Sequence, residues 1–408
     1  MSQAIEVNAP NQWRLESPGA LGWERTAQPV SDKSRKYFMV STDCHANEPH
    51  DLWAKRIERR FRERLPRITT DEHGVQWRIS EGYRPDRLRL GELEGEDQQR
   101  VKSGVGAKSR LQDHELDGID AEIIFPNKGL AMWATPDPEF AMAQCRVWNT
   151  WAWEEFGAHN DRLSPVAALA TGDLDGTMAE IERTAMLGFR AFTLPCKPMW
   201  GAHDIDHVNY NLPHFDPMWS LVQETGLPIT FHVSTGRDPR ASRGNGGAII
   251  NYVTHSLSPT IEPVANLCAS GVLERFPGLR FATIEAGIGW IPWLLDAMDE
   301  AYRKHHMWVR PKLQGLPSEY FREHGAATFQ EDPSGLELAS RYNLTGNFMW
   351  ANDYPHHEGT WPHSAAAIER TMGRLDEQSR TSILGLNAAR FFGFAIPDAY
   401  QLNIDGER

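Results

Sequence analysis

Eight short apolar runs, most of them followed by a segment whose apolar residues recur every three to four positions, constrain this chain more than anything else in it. The runs are YFMVST (37–42), AEIIFP (121–126), LSPVAALA (163–170), FRAFTLP (189–195), PITFHV (228–233), LRFATIEA (279–286), AATFQE (326–331) and NFMWAN (347–352). Between them lie helix-periodic segments at 139–160, 177–189, 217–226, 263–277, 291–305 and 364–375. The first follows the turn TPDP, and the second meets Gly188 near its end. Short strands alternating with amphipathic helices are the pattern of βα repeats. Eight of them predict an α/β fold, a distorted (β/α)8 TIM barrel, whose usual size is about 250 residues before insertions. The excess falls mainly at 50–117, where RPDRLRLGELEGEDQQ and VKSGVGAKS are polar and contain glycine. That stretch reads as a long loop or small subdomain after strand 1. The barrel then spans 37–395, between an N-terminal arm (1–36) and a C-terminal tail (396–408). A doubly wound open sheet is the alternative, but no GxGxxG follows a strand and opens a helix.

Composition narrows the function classes. With 408 residues, 40% hydrophobic and 24% charged, the chain has the makeup of a globular protein of one large or two ordinary domains. No apolar run approaches the ~20 residues that span a bilayer, so no membrane role is expected. The start, MSQAIEVNAPNQWRLESPG, carries neither an apolar signal core nor a basic leader, and a cytoplasmic location is expected. Four cysteines (Cys44, Cys145, Cys196, Cys268) without CxxC spacing fit reduced thiols better than disulfides or a cysteine zinc site. The formal net charge is −13, and the most basic stretch, RIERRFRERLPR (57–68), is interleaved with Glu58 and Glu63. Nucleic-acid binding needs a positive footprint that this chain lacks.

In a barrel, chemistry gathers at the C-terminal ends of the strands. Those ends carry Asp43 and His45, Asn127, Thr171, Lys197, His232, Glu285, Glu331 or Asp332, and Asp353. Any one of them is explained by a turn or a satisfied polar group; their convergence from several strands is the stronger signal. His232 ends a strand that is otherwise apolar and β-branched. As a core residue it would need a partner, and as a metal ligand it has one. Asp353 follows an apolar strand in WANDYPHH. Asp43 and His45 are two apart, so strict alternation puts them on one side of strand 1. Two imidazoles and two carboxylates suit Zn²⁺ or Mn²⁺, with iron also possible. Such an ion activates bound water or polarises a substrate oxygen. Cys44, between the two, points the other way and reads as a buried small hydrophobe.

TDCHANEP, TFHVS, IEAGIGWIP, ANDYPH and GLNAARFFGF, in this order on these strands, resemble the amidohydrolase superfamily over about residues 37 to 395. Within it the likeness is to the amidohydrolase-related branch, which includes aminocarboxymuconate-semialdehyde and dihydroxybenzoate decarboxylases. The resemblance implies a distorted (β/α)8 barrel holding one divalent metal ion. Asp43, His45 and Pro49 match the acidic form of the family's opening motif, which makes Asp43, His45, His232 and Asp353 the implied ligands. Asn47 is the alternative, as the remnant of a second histidine; a carboxylate binds a hard cation better than an amide. The chain departs from the family pattern after strand 6, where the decarboxylases carry a proton-handling His and this sequence has Glu285. An anionic Glu repels a substrate carboxylate unless Lys197 or an Arg offsets it, and a carboxylate can help to activate water.

The expected activity is therefore metal-dependent hydrolysis of an ester, lactone, thioester or amide of a small organic acid. In it Asp353 takes a proton from metal-activated water and Glu285 assists. The alternatives are non-oxidative decarboxylation of an aromatic or enoic acid, and a non-catalytic barrel serving as a binding scaffold. Lys197, Arg237, Asn127 and Trp200 are the candidate contacts to a small-molecule substrate. The Gly-rich stretch 234–250 adds Arg240 and Arg243, with a mobile loop as the equal reading. Trp133, Trp350 and Trp361 form an aromatic wall at the mouth or simply pack loops together. His255, His356 and His357 lie within reach of the mouth and receive no role. A homodimer is expected by resemblance.

Overall fold

The eight apolar runs all fold as strands, and they pair in parallel in chain order. In the computed structural model, residues 37–83, 85–88, 93–198, 209–235, 242 and 244–401 are described. The expected arm (1–36), the end of the tail (402–408), and Trp200, Arg237, Arg240 and Arg243 lie outside the described residues. We number the barrel strands β1 (Val40–Ala46), β2 (Ala121–Pro126), β3 (Leu163–Pro165, resuming at Ala167–Ala168), β4 (Phe192–Leu194), β5 (Ile229–His232), β6 (Phe281–Ile284), β7 (Gly325–Phe329) and β8 (Phe348–Trp350). β1 pairs with β2 and β2 with the first part of β3, whose second part pairs with β4. From there each strand pairs with the next as far as β8. The two ends of this order meet through a parallel bridge between Cys44 and Tyr354, the His45 amide donating to Tyr354 O at 2.6 Å, and Thr42 Oγ1 donating to Trp350 O at 2.9 Å. This is the (β/α)8 barrel architecture.

Every barrel strand is buried along its length, as expected of parallel strands covered on both faces. One boundary differs from expectation. β1 does not stop at Thr42 but runs through Asp43, Cys44 and His45 to Ala46, because β2 offers it a backbone partner that far, pairing His45 with Phe125 and Ala46 with Pro126. A register shift between Ser41 and Cys44 relieves strict alternation where the polar side chains begin.

The helices cover the outside. Pro138–Phe156 starts where TPDP predicts: Asp137 accepts from the amides of Glu139 and Phe140 at 3.0 and 3.3 Å, with Pro at the first position. Leu174–Leu187 ends on Gly188, whose φ of +107° suits glycine. Asp216–Thr225, Ile261–Ala269, Trp290–Lys304 and Ser364–Met372 overlap the expected helical segments. Among the described residues no helix is long and apolar enough to cross a membrane.

The stretch expected as an insertion carries secondary structure of its own. It contains an antiparallel sheet of Arg67–Thr70, Gln76–Ile79 and Asp86–Arg87, and it ends in the helix Ala107–Asp117. That helix is pinned to the barrel by charge. Arg110 forks onto Glu122 of β2 through Nε and Nη2 at 2.6 and 2.7 Å, and His114 Nε2 lies 2.8 Å from the same carboxylate. All three residues are buried.

Candidate metal centre

Five residues at four strand ends, joined by a sixth from the turn after β8, bring their donor atoms together. Asp43 and His45 come from β1, His232 ends β5, Glu285 follows β6, and Asp353 follows β8. His45 Nε2 lies 3.5 Å from Asp43 Oδ1, 3.7 Å from Glu285 Oε2 and 3.4 Å from Asp353 Oδ1. His232 Nε2 lies 3.3 Å from Asp43 Oδ1 and 3.4 Å from Glu285 Oε2. The sixth residue is His356, whose Nδ1 is 2.9 Å from Asp353 Oδ1 and whose ring stacks on His45 with centroids 4.0 Å apart. The donors fall into two overlapping sets, Asp43–His45–His232–Glu285 and His45–Glu285–Asp353–His356.

Backbone conformation does much of the aiming. Glu285 and Asp353 have φ of +57° and +52°, and Ser234 after β5 has +69°. A non-glycine residue held left-handed costs roughly 1–2 kcal/mol, and such strain persists where surrounding contacts impose it. Here they do: the Glu285 amide donates to Thr328 Oγ1 at 3.0 Å. Asn352, next to Asp353, donates its amide to Ser41 Oγ at 3.0 Å and accepts from that hydroxyl at 2.8 Å. Gly359 lies so close that a Cβ there would fall 2.4 Å from Asn352 O.

The hydrogen-bond chemistry tests whether this cluster fits a cation. His45 Nδ1 contacts Pro126 O at 3.1 Å and His232 Nδ1 contacts Val233 O at 2.8 Å. A carbonyl only accepts, so both imidazoles carry a proton on Nδ1, and in their neutral forms Nε2 turns a lone pair toward the carboxylates. Asp43 Oδ2, His45 Nε2 and both Asp353 oxygens are buried without a hydrogen-bond partner. Lone pairs facing lone pairs in a buried site repel unless a cation or proton lies between them. The spacings fit as well: two donors about 2.1 Å from one ion sit roughly 3.0 Å apart at a right angle and 3.4 Å apart at the tetrahedral angle. The cluster is able to hold one metal ion.

The carboxylates and imidazoles perturb one another strongly. Burial raises the pKa of Asp43, but His232 and His45 outweigh it and hold the carboxyl well below the usual range. Burial opposes charge on His45, yet the carboxylates of Asp43, Glu285 and Asp353 raise its pKa. Asp353 is pushed well upward by burial, then by the charges of Glu285 and Asp43. Groups moved in opposite directions within a few ångströms are characteristic of functional sites.

Beside the cluster lies a cavity of about 350 Å³, within the range of small-ligand sites. Tyr252, Leu257, Trp290, Phe329 and Glu285 line it. Glu285 is thus shared between cluster and cavity: its side chain is 10% exposed, against 0% for Asp43 and Asp353. Tyr252 and Leu257 belong to a π-helix, Asn251–Leu257, a conformation frequent at functional sites.

Other strand-end residues have partners outside the metal cluster, although Glu331 and Asp332 line the same cavity as Glu285. Lys197 pairs with Glu262 at 3.4 Å, and the Asn127 amide donates to Glu48 Oε1 at 2.8 Å. Glu48 also accepts from the Lys128 and Gly129 amides, so this carboxylate of TDCHANEP braces a turn. Glu331 pairs with Arg370, and Asp332 accepts from the amides of Ile288 and Gly289, both at 2.7 Å. Trp133 and Trp350 are buried packing residues, and Trp133 Nε1 donates to Leu169 O at 2.8 Å. The four cysteines are unpaired and buried; Cys44 Sγ lies against Ser41 Oγ and Asn352 Oδ1, and burial raises its thiol pKa. Arg110 was not foreseen from the sequence, and His356 was placed near the mouth without a role. His356 is signalled only by its place three residues after Asp353, and Arg110 only by the charge of Glu122 inside an apolar strand.

The chain is similar to known proteins over most of its length. The sequence model of a family described as amidohydrolase matches residues 42–394. The chain is 24% identical over 298 residues to a gamma-resorcylate decarboxylase of Rhodococcus jostii, covering 69% of this chain and 85% of that protein. Its fold matches an amidohydrolase of Mycobacterium avium subsp. paratuberculosis with TM-score 0.69 at 18% identity, over 88% of this chain and all of that one. It also matches a dihydroxybenzoic acid decarboxylase of Polaromonas sp. JS666, solved with manganese and the inhibitor 2-nitroresorcinol, with TM-score 0.64 at 18% identity over 89% and 99% of the two chains. A 5-carboxyvanillate decarboxylase of Sphingomonas paucimobilis matches with TM-score 0.62 at 21% identity, over 88% of this chain and all of that one.

Proposed function

This chain belongs to the amidohydrolase family of enzymes, and from that premise we propose that it is a metal-dependent, non-oxidative decarboxylase of a hydroxylated aromatic acid. Asp43, His45, His232 and Asp353 hold one divalent cation in this reading, and Glu285 handles the proton. The sequence alone favours hydrolysis, on the strength of Glu285. The observation that reverses the order is the match to a decarboxylase along 85% of that relative's length. Manganese is the ion favoured, being present in a solved neighbour and suited to carboxylate and imidazole donors.

When bound, the cation polarises substrate oxygens as a Lewis acid. The chain's own residues do the rest. The carbonyls of Pro126 and Val233 hold His45 and His232 in the tautomer that leaves Nε2 free to bind. Leu257, Trp290 and Phe329 offer an apolar wall to a ring. Glu285 is the cluster carboxylate that lines the cavity, and in this reading it is the group that meets the ring carbon bearing the substrate carboxylate. In its protonated form it transfers its proton to that carbon. The bond from that carbon to the carboxylate then breaks, CO₂ leaves, and the ring recovers its aromaticity with the new hydrogen in place. Glu285, now a carboxylate, regains a proton from solvent through the cavity.

The test is CO₂ release by Mn²⁺-loaded protein from a panel of mono- and dihydroxybenzoates. Glu285→Gln is expected to lower kcat by about 100-fold or more while still binding Mn²⁺. Ester or lactone turnover without CO₂ from any acid would return hydrolysis to first place.

A further inference from the structure

We propose that Arg100, a buried residue between β1 and β2, is a positioning residue for the cation site. It holds the turn that aims Asp353 and, through Asn47, ties that turn to the strand that carries Asp43 and His45. This role rests on the cation site of the proposed function and not on the reaction assigned to it.

The barrel is thinnest where it closes. β8 spans only Phe348–Trp350 and ends before Asp353, whereas β1 runs on to Ala46. Past Trp350 the two sides meet through the isolated bridge of Cys44 to Tyr354. The segment that carries Asp353 is therefore shaped by turn bonds and not by a ladder. Asn352 O accepts from the Thr360 amide at 2.8 Å, Asp353 O from the His356 amide at 2.9 Å, and His356 O from the Gly359 amide at 3.2 Å. Within that turn Asp353 is left-handed, at φ +52°. Such a conformation persists only while its surroundings impose it.

Arg100 supplies an outside constraint. It ends the helix Gly95–Arg100 and is 1% exposed. Its Nη1 donates to His357 O at 3.1 Å and to Gly359 O at 3.3 Å, two carbonyls that the three turn bonds leave open. A guanidinium donor makes a stronger bond than a neutral one. Gly359 is also the residue pressed onto the backbone of Asp353: a Cβ there would fall 2.4 Å from Asn352 O and 2.8 Å from Asp353 O. Holding Gly359 in place thus holds the peptide groups on both sides of the Asp353 side chain.

Asn47 anchors the other end. It follows β1 directly, two residues past His45, and its Nδ2 donates to Val101 O at 3.0 Å and to Ser103 O at 2.5 Å. A chain of bonds therefore runs from β1 through Asn47, residues 100–103 and the Arg100 guanidinium to the turn of Asp353. It crosses the seam at the end of the barrel where the donors converge. Partners of this kind, which touch no ion but orient its ligands, commonly change metal affinity by 10–100-fold when removed.

The experiment measures Mn²⁺ dissociation constants, from the electron paramagnetic resonance signal of free Mn²⁺, and melting temperatures with and without the ion. It uses full-length wild type, Arg100→Met, Arg100→Lys, Asn47→Ala and Val222→Ala. Val222 is a buried residue of the helix Asp216–Thr225 and serves as the control for lost stability alone. Arg100→Met is expected to weaken Mn²⁺ binding about tenfold or more, with Asn47→Ala moving the same way. Arg100→Lys should weaken it less, because an ammonium can still donate to a carbonyl. Val222→Ala should melt lower with and without the ion yet bind Mn²⁺ as wild type does. A dissociation constant in Arg100→Met equal to that of wild type would overturn the proposal, however far the melting temperature fell. If Arg100→Met does not fold, wild-type affinity in both Arg100→Lys and Asn47→Ala overturns it instead. Since affinity decides, a wild type that binds Mn²⁺ without releasing CO₂ overturns the proposed reaction alone, and one that takes up no Mn²⁺ overturns both.

Discussion

Glu122 is a carboxylate in the middle of an apolar strand, and its partners explain more of the site than their distance from it suggests. Burial alone would raise its pKa, but Arg110 and His114 outweigh that and hold it well below the usual range. The same Arg110 donates through Nη1 to His45 O at 2.7 Å, so it ties the barrel's charged strand to the backbone of a proposed ligand. Removing one partner of a buried pair leaves the other charge uncompensated, which costs about 3–5 kcal/mol. Arg110→Met is therefore expected to lose stability of that order in urea unfolding, and Arg110→Met with Glu122→Leu to recover most of it. A single variant within about 1 kcal/mol of wild type would show that the pair carries no such burden. At this scale the sequence was informative for residues that end strands, such as His232 and Asp353, because position in a barrel strand dictates which way a side chain faces. It was uninformative for Arg110 and His356, whose partners lie across the fold or depend on the shape of a turn.

At the scale of elements, Ala107–Asp117 is the helix that the sequence conceals, since its apolar content is low and its buried face is made of Arg110, His114 and Asp117. Asp117 joins it to the segments after β8, accepting from the Ser364 amide at 3.1 Å and from Asn352 Nδ2 at 3.2 Å. Burial outweighs these bonds and raises its pKa to about 6. The native state thus binds the Asp117 proton more tightly than the unfolded state does. Its contribution to stability is fully present below the ordinary value near 4 and is lost as pH rises through 6. A pKa raised from near 4 to about 6 corresponds to about 3 kcal/mol. The stability of wild type minus that of Asp117→Asn should accordingly grow, by up to about that amount, as pH is lowered from 7 to 4. A difference that stays flat over this range would refute it. Amphipathic helices such as Trp290–Lys304 were legible because apolar spacing encodes them directly; a helix held by buried charges has no such pattern. β1 outran its expected end for a related reason, its length being set by the partner strand β2.

For the whole molecule, the proposed ion is a link between elements far apart in sequence: β1, β5, and the ends of β6 and β8 all contribute donors. Binding to the native state alone stabilises it by about 2.7 kcal/mol when the ion is present at 100 times its dissociation constant. Chelator-treated protein should therefore melt several degrees below protein with added Mn²⁺, and the response should vanish in Asp43→Asn with His232→Ala. Equal melting temperatures with and without the ion would mean that the four elements are held without it. The barrel, its strand order and the polar residues at the strand ends were determined by the sequence alone, because strand periodicity and chain order suffice to place a side chain at the mouth of a (β/α)8 fold. Only the tertiary structure decided that the helix Ala107–Asp117 is clamped to the barrel by Arg110 and Glu122, that Glu285 is the cluster carboxylate that lines the cavity, and that His356 lies beside Asp353. Each of these depends on distances between residues tens to hundreds of positions apart or on the sense of a single φ angle, and neither quantity is written in local sequence.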